Sequence, residues 1–206
     1  MIRVNTIAAM ILFCLMTTIH GCGGIRTYLI GVNYIEEKES PRSSLMVGVC
    51  PFEDLRKEAK PGEIGLRHRR GKQVDFFKAE GMSVSQSVTR AVKDYFFQRG
   101  YKVTDYAQWN KGLQGLSGVP KAISLVVGGN IESFMVEARS GIAITETTYR
   151  VKLVAFIGQV PQKKLVIRTV ESAPKTKGMG FDIVEVRDKL NTTLTEVIQA
   201  LFKDAY

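Results

Sequence analysis

The densest cluster of chemically active side chains lies between residues 67 and 72. Four of these six residues carry a fixed positive charge, namely Arg67, Arg69, Arg70 and Lys72, and His68 stands among them. Guanidinium and ammonium groups hold phosphate oxygens through charge-assisted hydrogen bonds, so the cluster is a candidate site for an anionic ligand. The alternative is a solvated basic loop, which is the ordinary meaning of a run of like charges.

Catalytic arrangements are scarce in the sequence. The two histidines are His20 and His68. The three cysteines, Cys14, Cys22 and Cys50, form no CxxC pair or Cys/His cluster for zinc, and there is no GxSxG, HExxH or EF-hand pattern. Cys50 lies in an apolar run, which favours a buried structural thiol. We therefore predict a non-enzymatic protein without catalytic residues, metal or cofactor; an enzyme that uses His68 is the alternative.

The first 22 residues predict export. Arg3 is followed by an uncharged run of 14 residues from Thr6 to Ile19. A bilayer-spanning helix needs about 20 apolar residues, whereas the core of a signal peptide is shorter and ends in small residues, as this run does. An ordinary secretory leader, or a short uncleaved anchor, is the alternative to the more specific interpretation that follows.

The segment Ile19-His20-Gly21-Cys22 resembles the bacterial lipobox, although His20 departs from the pattern. The resemblance implies a signal peptide over residues 1–21, cleavage after Gly21, and diacylglycerol on the sulfur of Cys22 with a further acyl chain on the new amine. Such chains, including palmitate, would anchor the protein durably in a membrane. With Gly23 and no Asp after the cysteine, the resemblance further implies an outer-membrane protein that faces the periplasm.

The mature sequence predicts two amphipathic helices and several strands. A helix over Ser83 to Arg99 has Ser83 and Gln86 as a capping box and ends at Gly100, and a second helix begins near Asp182. Apolar and polar residues alternate from Ile144 to Gly158, which predicts a half-buried strand within successive hairpins. These elements predict an α+β two-layer sandwich in which a mixed, mostly antiparallel sheet has both helices packed on one face.

The predicted domain organisation has three parts. Residues 1–21 form the signal peptide, residues 22–43 a lipid-anchored tether with a strand near Tyr28 to Tyr34, and residues 44–206 a single α+β domain. Within the domain, residues 53–81 are rich in charge and in turn residues, and they contain the basic cluster. This composition predicts a long loop, and such loops are often functional.

Four short segments resemble a pattern found in YajG-like bacterial lipoproteins. They are Phe52-Glu53-Asp54-Leu55-Arg56, Ile64-Gly65, the helix from Ser83 to Arg99, and Gly100-Tyr101-Lys102-Val103. The resemblance implies an α+β lipoprotein that faces the periplasm and has no assigned reaction. For Asp54 and Arg56 we expect a structural role, in which they pair and fix the chain after the strand.

The net charge of +9 favours anionic partners, although a solvated basic surface is the commoner explanation. Outside the inner membrane such partners would be phospholipid or lipopolysaccharide, and not nucleic acid. Our first hypothesis is a non-enzymatic envelope lipoprotein that binds a protein partner or assists assembly. The second is an accessory lipoprotein of a lipid or lipopolysaccharide transport system, which binds anionic lipid through the loop of residues 53–81.

Overall fold

The computed structural model describes residues 24–35, 43–57, 60 and 62–203. The predicted signal peptide and Cys22 lie outside these residues. Over the described residues the chain forms nine strands and two α-helices. They are β1 (Thr27–Ile30), β2 (Met46–Asp54), β3 (Glu63–His68), β4 (Val74–Ala79), α1 (Val84–Gln98), β5 (Lys102–Asp105), β6 (Leu125–Ser140), β7 (Ile144–Gln159), β8 (Lys164–Ser172), β9 (Lys175–Met179) and α2 (Ile183–Phe202).

The hairpin of β6 and β7 is the centre of the sheet, and each of its strands has 16 residues. The first half of β6 pairs with β2 and the second half with β3, both in parallel. β2 continues the sheet to β5, and β3 continues it through β4 to β1. On the far edge of β7, β8 pairs with the second half and β9 with the first half. The longest ladders are therefore antiparallel.

One face of this sheet carries the main hydrophobic core. On β7 the alternate residues Tyr149, Val151, Leu153, Ala155 and Ile157 are all 0% exposed, as their spacing predicted. The apolar sides of α1 and α2 join the same core cluster. The predicted two-layer α+β sandwich, with a mixed and mostly antiparallel sheet and two helices on one face, is thus confirmed.

Both helices begin where their capping residues predicted. Ser83 and Gln86 form a complete capping box at the start of α1, and Gly100 follows its end with a φ of 85°. The carboxylate of Asp182 accepts a hydrogen bond from the backbone N–H of Val184 and so caps α2. Among the residues described, no helix is both long enough and apolar enough to span a bilayer.

The segment of residues 53–81 is not the long loop that its composition predicted. It contains β3 and β4, an antiparallel pair in which Arg67 lies opposite Asp75. The prediction was wrong because opposite charges on facing strands compensate one another inside the fold. A high density of charged residues therefore did not indicate a solvent-exposed loop. Residues 27–35 belong to the folded domain and not to the predicted tether, since β1 pairs with β4 and Ile30 is buried in the core.

The face of the sheet opposite the helices is only partly covered. Between β5 and β6 the chain makes a short 3-10 turn at Gln114–Gly118. This segment packs Trp109 and Leu116 over Cys50 and Val126, near the start of β6. Further along β6 the same face is open to solvent.

Candidate functional site

The basic cluster is built around Asp75, whose side chain is fully buried. The Nη2 atom of Arg69 lies 3.1 Å from Oδ1 of Asp75, and the Nη1 atom of Arg67 lies 3.6 Å from Oδ2. The backbone N–H of Arg26 also donates to Oδ1, at 3.1 Å. A buried carboxylate requires such compensation because its desolvation is costly. Two of the four predicted anion-binding cations therefore serve an internal ion-pair cluster.

Further contacts fix Arg67 inside the sheet. Its Nε atom donates to the Oγ of Ser140 at 2.9 Å, and its guanidinium carbon lies 3.8 Å from the ring centroid of Phe181. A position over an aromatic ring suits arginine, whose guanidinium is weakly hydrated. Arg67 thus connects β3 to the end of β6 and to Phe181, which precedes the N-cap residue of α2.

Arg70 and Lys72 occupy a different position. They lie in a short 3-10 turn between β3 and β4, where Gly71 and Lys72 have positive φ values of 76° and 64°, and both side chains are exposed. Among the ion pairs of the described residues, none involves Arg26, Arg70 or Lys72. All three side chains are exposed.

The described N-terminus is attached to this same turn. The Nη2 atom of Arg69 donates to the carbonyl of Gly24 at 2.8 Å, and the N–H of Phe76 donates to the carbonyl of Arg26 at 2.8 Å. The turn also lies beside the β6–β7 turn and the end of β9, because His68 pairs with Arg139 and Ile144 pairs with Met179. We call this surface the basic end. It comprises residues 24–26, 69–73, 140–143 and 179–180.

Within the described part of the chain, no side chain is hydrogen-bonded to His68 so as to orient it. Its side chain is 46% exposed, and its Nε2 atom lies 3.9 Å from Oε1 of Glu137, which is too long for a hydrogen bond. That carboxylate contacts Arg139 instead, at 2.7 Å. Among the described residues no group of histidine, cysteine or carboxylate side chains is arranged to hold a metal ion.

The structure brings Asp54 and Arg56 together. The Nε and Nη2 atoms of Arg56 bind the two carboxylate oxygens at 2.7 and 2.8 Å, and the Nη1 atom donates to the carbonyls of Glu63 and Phe134 at 2.7 and 2.9 Å. The hydrogen bond from Arg56 holds the pKa of Asp54 below its ordinary value. Arg56, whose side chain is only 6% exposed, thus ties the chain after β2 to both β3 and β6.

A groove of about 980 Å³ lies on the open face of the sheet, beside Arg56. Its floor comes from the middle of β6 and β7, and its walls come from the chain after β2 and from β3. Leu55 and Met135 contribute partly exposed apolar surface, with 53% and 37% exposure. Sequence reasoning missed this groove because its residues come from separate strands, and only the pairing of β3 with β6 brings them together.

The charges that line the groove are balanced and largely paired. Lys152 lies 2.8 Å from Glu132, and Arg150 lies 3.8 Å from Glu171. Hydrogen bonding to Glu132 raises the pKa of Lys152. In all, four acidic and four basic side chains line the groove, namely Glu63, Glu132, Glu137, Glu171, Arg56, Lys57, Arg150 and Lys152. The described lining of the groove therefore has no excess of positive charge with which to select an anionic ligand.

Cys50 lies away from both of these regions, in the small cluster around Trp109. Burial raises the pKa of the Cys50 thiol to about 11, so the thiol is protonated at neutral pH. A protonated buried thiol is a weak nucleophile. Its position agrees with the structural role expected from the sequence.

The glycine of the Ile64-Gly65 segment has a direct structural explanation. Gly65 has a φ of 146°, and a Cβ atom at this position would lie 1.8 Å from the carbonyl oxygen of Val136. Ile64 is buried in the core, as is Phe52. These residues of the YajG-like pattern therefore shape and fill the sheet.

Comparison with solved structures finds similar folds at low sequence identity. A Xanthomonas campestris protein of the family DUF330 superposes with a TM-score of 0.54 at 13% identity, covering 85% of this chain and 91% of that chain. This likeness shows the fold alone. An uncharacterized protein gives a TM-score of 0.47 at 8% identity, covering 89% of this chain and 100% of that chain. Lipoprotein GNA1162 from Neisseria meningitidis gives 0.37 at 8% identity, covering 74% of this chain and 97% of that chain.

The lower TM-scores of the last two structures carry no argument. No family model matches the chain, and a search of curated proteins found no similar sequence. Membership of a YajG-like family therefore stays a prediction from the four short segments.

Proposed function

We propose that this protein is a non-enzymatic lipoprotein of the bacterial cell envelope that binds a protein partner in its groove. Acyl chains on Cys22 would hold it at the outer membrane, with the folded domain in the periplasm. The groove is the observation that carries the proposal. It combines exposed apolar side chains with charges that neutralise one another, and protein interfaces likewise combine apolar and polar groups.

The alternative is an accessory lipoprotein that binds anionic lipid through residues 53–81 for a transport system. It has less support because Asp75 compensates Arg67 and Arg69, which leaves Arg70 and Lys72 as the exposed members of the predicted basic cluster. Those two lie at the basic end and not among the residues that line the groove.

The test places a photo-crosslinking amino acid at Met135, on the floor of the groove, in the full-length protein in its own envelope. Phe97, which is 72% exposed on α1, receives the same amino acid as a control. We expect a discrete protein adduct from position 135 and none from position 97. An adduct with lipid or lipopolysaccharide alone would favour the transport alternative, and no adduct from position 135 would refute the proposed role of the groove.

A blocking substitution makes this test specific. Leu55→Asp puts a charge on the groove wall, and Ile167→Asp puts one at a position of similar exposure on β8, 56% against 53%. Leu55→Asp should abolish the adduct, and Ile167→Asp should leave it intact. Mass spectrometry of the mature N-terminus tests the anchor separately, since an acylated Cys22 as first residue is the expected result.

A further inference from the structure

The described chain begins at Gly24, two residues after the proposed lipid-attachment site, so the proposed membrane anchor would lie close to the basic end. Consecutive Cα atoms are about 3.8 Å apart, so the Cα of Cys22 lies within about 8 Å of the Cα of Gly24. Gly24 is itself fixed by its carbonyl, which accepts a hydrogen bond from Arg69 at 2.8 Å. Acyl chains on Cys22 would therefore enter a bilayer directly beside the basic end.

The basic end exposes apolar side chains around the point where the chain emerges. Ile25 is 74% exposed, Ile142 in the β6–β7 turn is 85% exposed, and Met179 at the end of β9 is 94% exposed. Met179 pairs with Ile144, which is 57% exposed. Large aliphatic side chains in turns and strand ends have no core to fill, and they gain free energy by entering an apolar phase.

The curl of the sheet gathers these side chains at one surface. β1 and β9 are at opposite ends of the row of strands, yet the ring centroid of Tyr28 in β1 lies 5.3 Å from that of Phe181, two residues after Met179. The guanidinium of Arg67, in β3, also lies over the ring of Phe181. The exposed side chains of Ile25, Ile142 and Met179 and the start of the described chain therefore belong to one continuous surface.

The charged residues within the basic end, Arg26, Arg69, Arg70 and Lys72, are all basic. Arg26, Arg70 and Lys72 make no ion pair with a described residue, whereas the nearby acids are engaged. Glu146 pairs with Lys177 at 3.3 Å, and Asp182 caps α2. Exposed aliphatic side chains surrounded by cations suit an anionic bilayer surface. Each basic group near such a surface contributes about 1 kcal/mol to membrane binding.

We infer that the basic end is a membrane-docking surface, on which the domain rests against the anionic bilayer that holds its own anchor. Ile25, Ile142 and Met179 enter the interfacial layer, and Arg26, Arg70 and Lys72 contact lipid phosphates. This inference rests on the lipid anchor of the proposed function, and it adds an orientation. The start of β6, which carries the cluster around Trp109, then points away from the membrane.

The distance across the domain makes this orientation measurable. Val126 and Ser140 are 14 residues apart on β6, which corresponds to about 46 Å in an extended strand. Trp109, packed near Val126, is the single tryptophan and lies at the far end. An indole added at the basic end can therefore be compared with one that stays beyond the reach of lipid.

The experiment reconstitutes the mature acylated protein into vesicles of phosphatidylethanolamine and phosphatidylglycerol whose acyl chains are brominated near the glycerol. Ile142→Trp places an indole at the docking surface, and Phe97→Trp places one at an exposed site on α1. We expect bromolipid to quench the indole added by Ile142→Trp and to leave both Trp109 and the indole added by Phe97→Trp unquenched. Equal, or absent, quenching of the two added indoles would overturn the inference.

A charge-matched pair of variants tests the electrostatic part. Arg70→Asn with Lys72→Asn removes two charges from the basic end, and Lys102→Asn with Lys121→Asn removes two exposed charges near the far end. At about 1 kcal/mol for each group, the first pair should lower the ratio of docked to undocked domain about 30-fold, and the second should leave it unchanged. Equal quenching of the Ile142→Trp indole in both backgrounds would overturn the assigned role of Arg70 and Lys72.

The mass of the N-terminus separates the two possible failures. An acylated Cys22 with an unquenched indole at position 142 would overturn the docking surface and leave the anchor intact. An unmodified N-terminus would overturn the anchor and, with it, the inference. Photo-crosslinking at Met135 reports on the groove in either case.

Discussion

Replacement of Asp75 by asparagine should destabilise the domain strongly. Asp75 is 0% exposed, and Arg67 and Arg69 approach it with side chains that are only 15% and 16% exposed. Removing one member of a buried ion pair typically costs about 3–5 kcal/mol, because the remaining charge stays desolvated. Asparagine keeps an oxygen that accepts the hydrogen bond from the N–H of Arg26, and both arginine side chains remain partly exposed to solvent. We therefore expect the free energy of unfolding to fall by about 2–4 kcal/mol.

Urea unfolding of the mature protein in detergent, followed by circular dichroism, measures this loss. Asp105→Asn is the matched control, since the side chain of Asp105 is 81% exposed and pairs with Lys93 at the surface. Surface pairs contribute about 0–1 kcal/mol, so the control should unfold nearly as the wild type does. Trypsin should also cleave after Arg26 faster in Asp75→Asn, because a contact that holds this segment is weakened. A change in unfolding free energy no larger than that of the control would refute the reasoning.

Four further predictions concern the regions around the groove and the small cluster. Arg56→Lys should cost about 2 kcal/mol in urea unfolding, because an ammonium group cannot reproduce the fork that binds Asp54 and two carbonyls. The pKa of Asp54 is lowered in the folded state. The difference in unfolding free energy between the wild type and Asp54→Asn should therefore be largest above the ordinary carboxyl pKa, and it should disappear as the pH falls through the lowered pKa. Cys50 should react with a thiol reagent at pH 8 only after urea unfolds the protein; rapid modification of the native state would contradict its burial. Gly65→Ala should cost at least about 2 kcal/mol, given the positive φ and the clash with Val136, and an unchanged unfolding midpoint would show that the backbone there can relax.

Local periodicity was sufficient to predict the helices and the central strand. The apolar residues of α1, from Val84 to Phe96, and the alternation on β7 both depend on nearest neighbours along the chain, and the structure buries these residues as expected. The capping residues Ser83 and Asp182 act within three residues of themselves. Such signals are local, so one sequence is enough to recognise them.

The basic cluster could not be interpreted correctly without long-range pairing. Arg67 appears as a solvated cation in the sequence, and only its register with Asp75 shows that the two charges compensate each other inside the sheet. The start of the domain was missed for the same reason, since the pairing of β1 with β4 joins residues far apart in the chain. Likewise, the groove depends on β3 lying beside the second half of β6.

The proposed anchor on Cys22 would restrict which partners the groove can reach. Met135, on the floor of the groove, is five residues before Ser140 at the basic end, a distance of about 17 Å along an extended strand. With the basic end on the bilayer, the groove opens within roughly 20 Å of the lipid headgroups. A long tether would let the domain search the periplasm, whereas an anchor on Cys22, two residues before the described chain, would keep the groove beside the membrane. We therefore expect the partner to be a protein that is itself bound to, or embedded in, the same membrane.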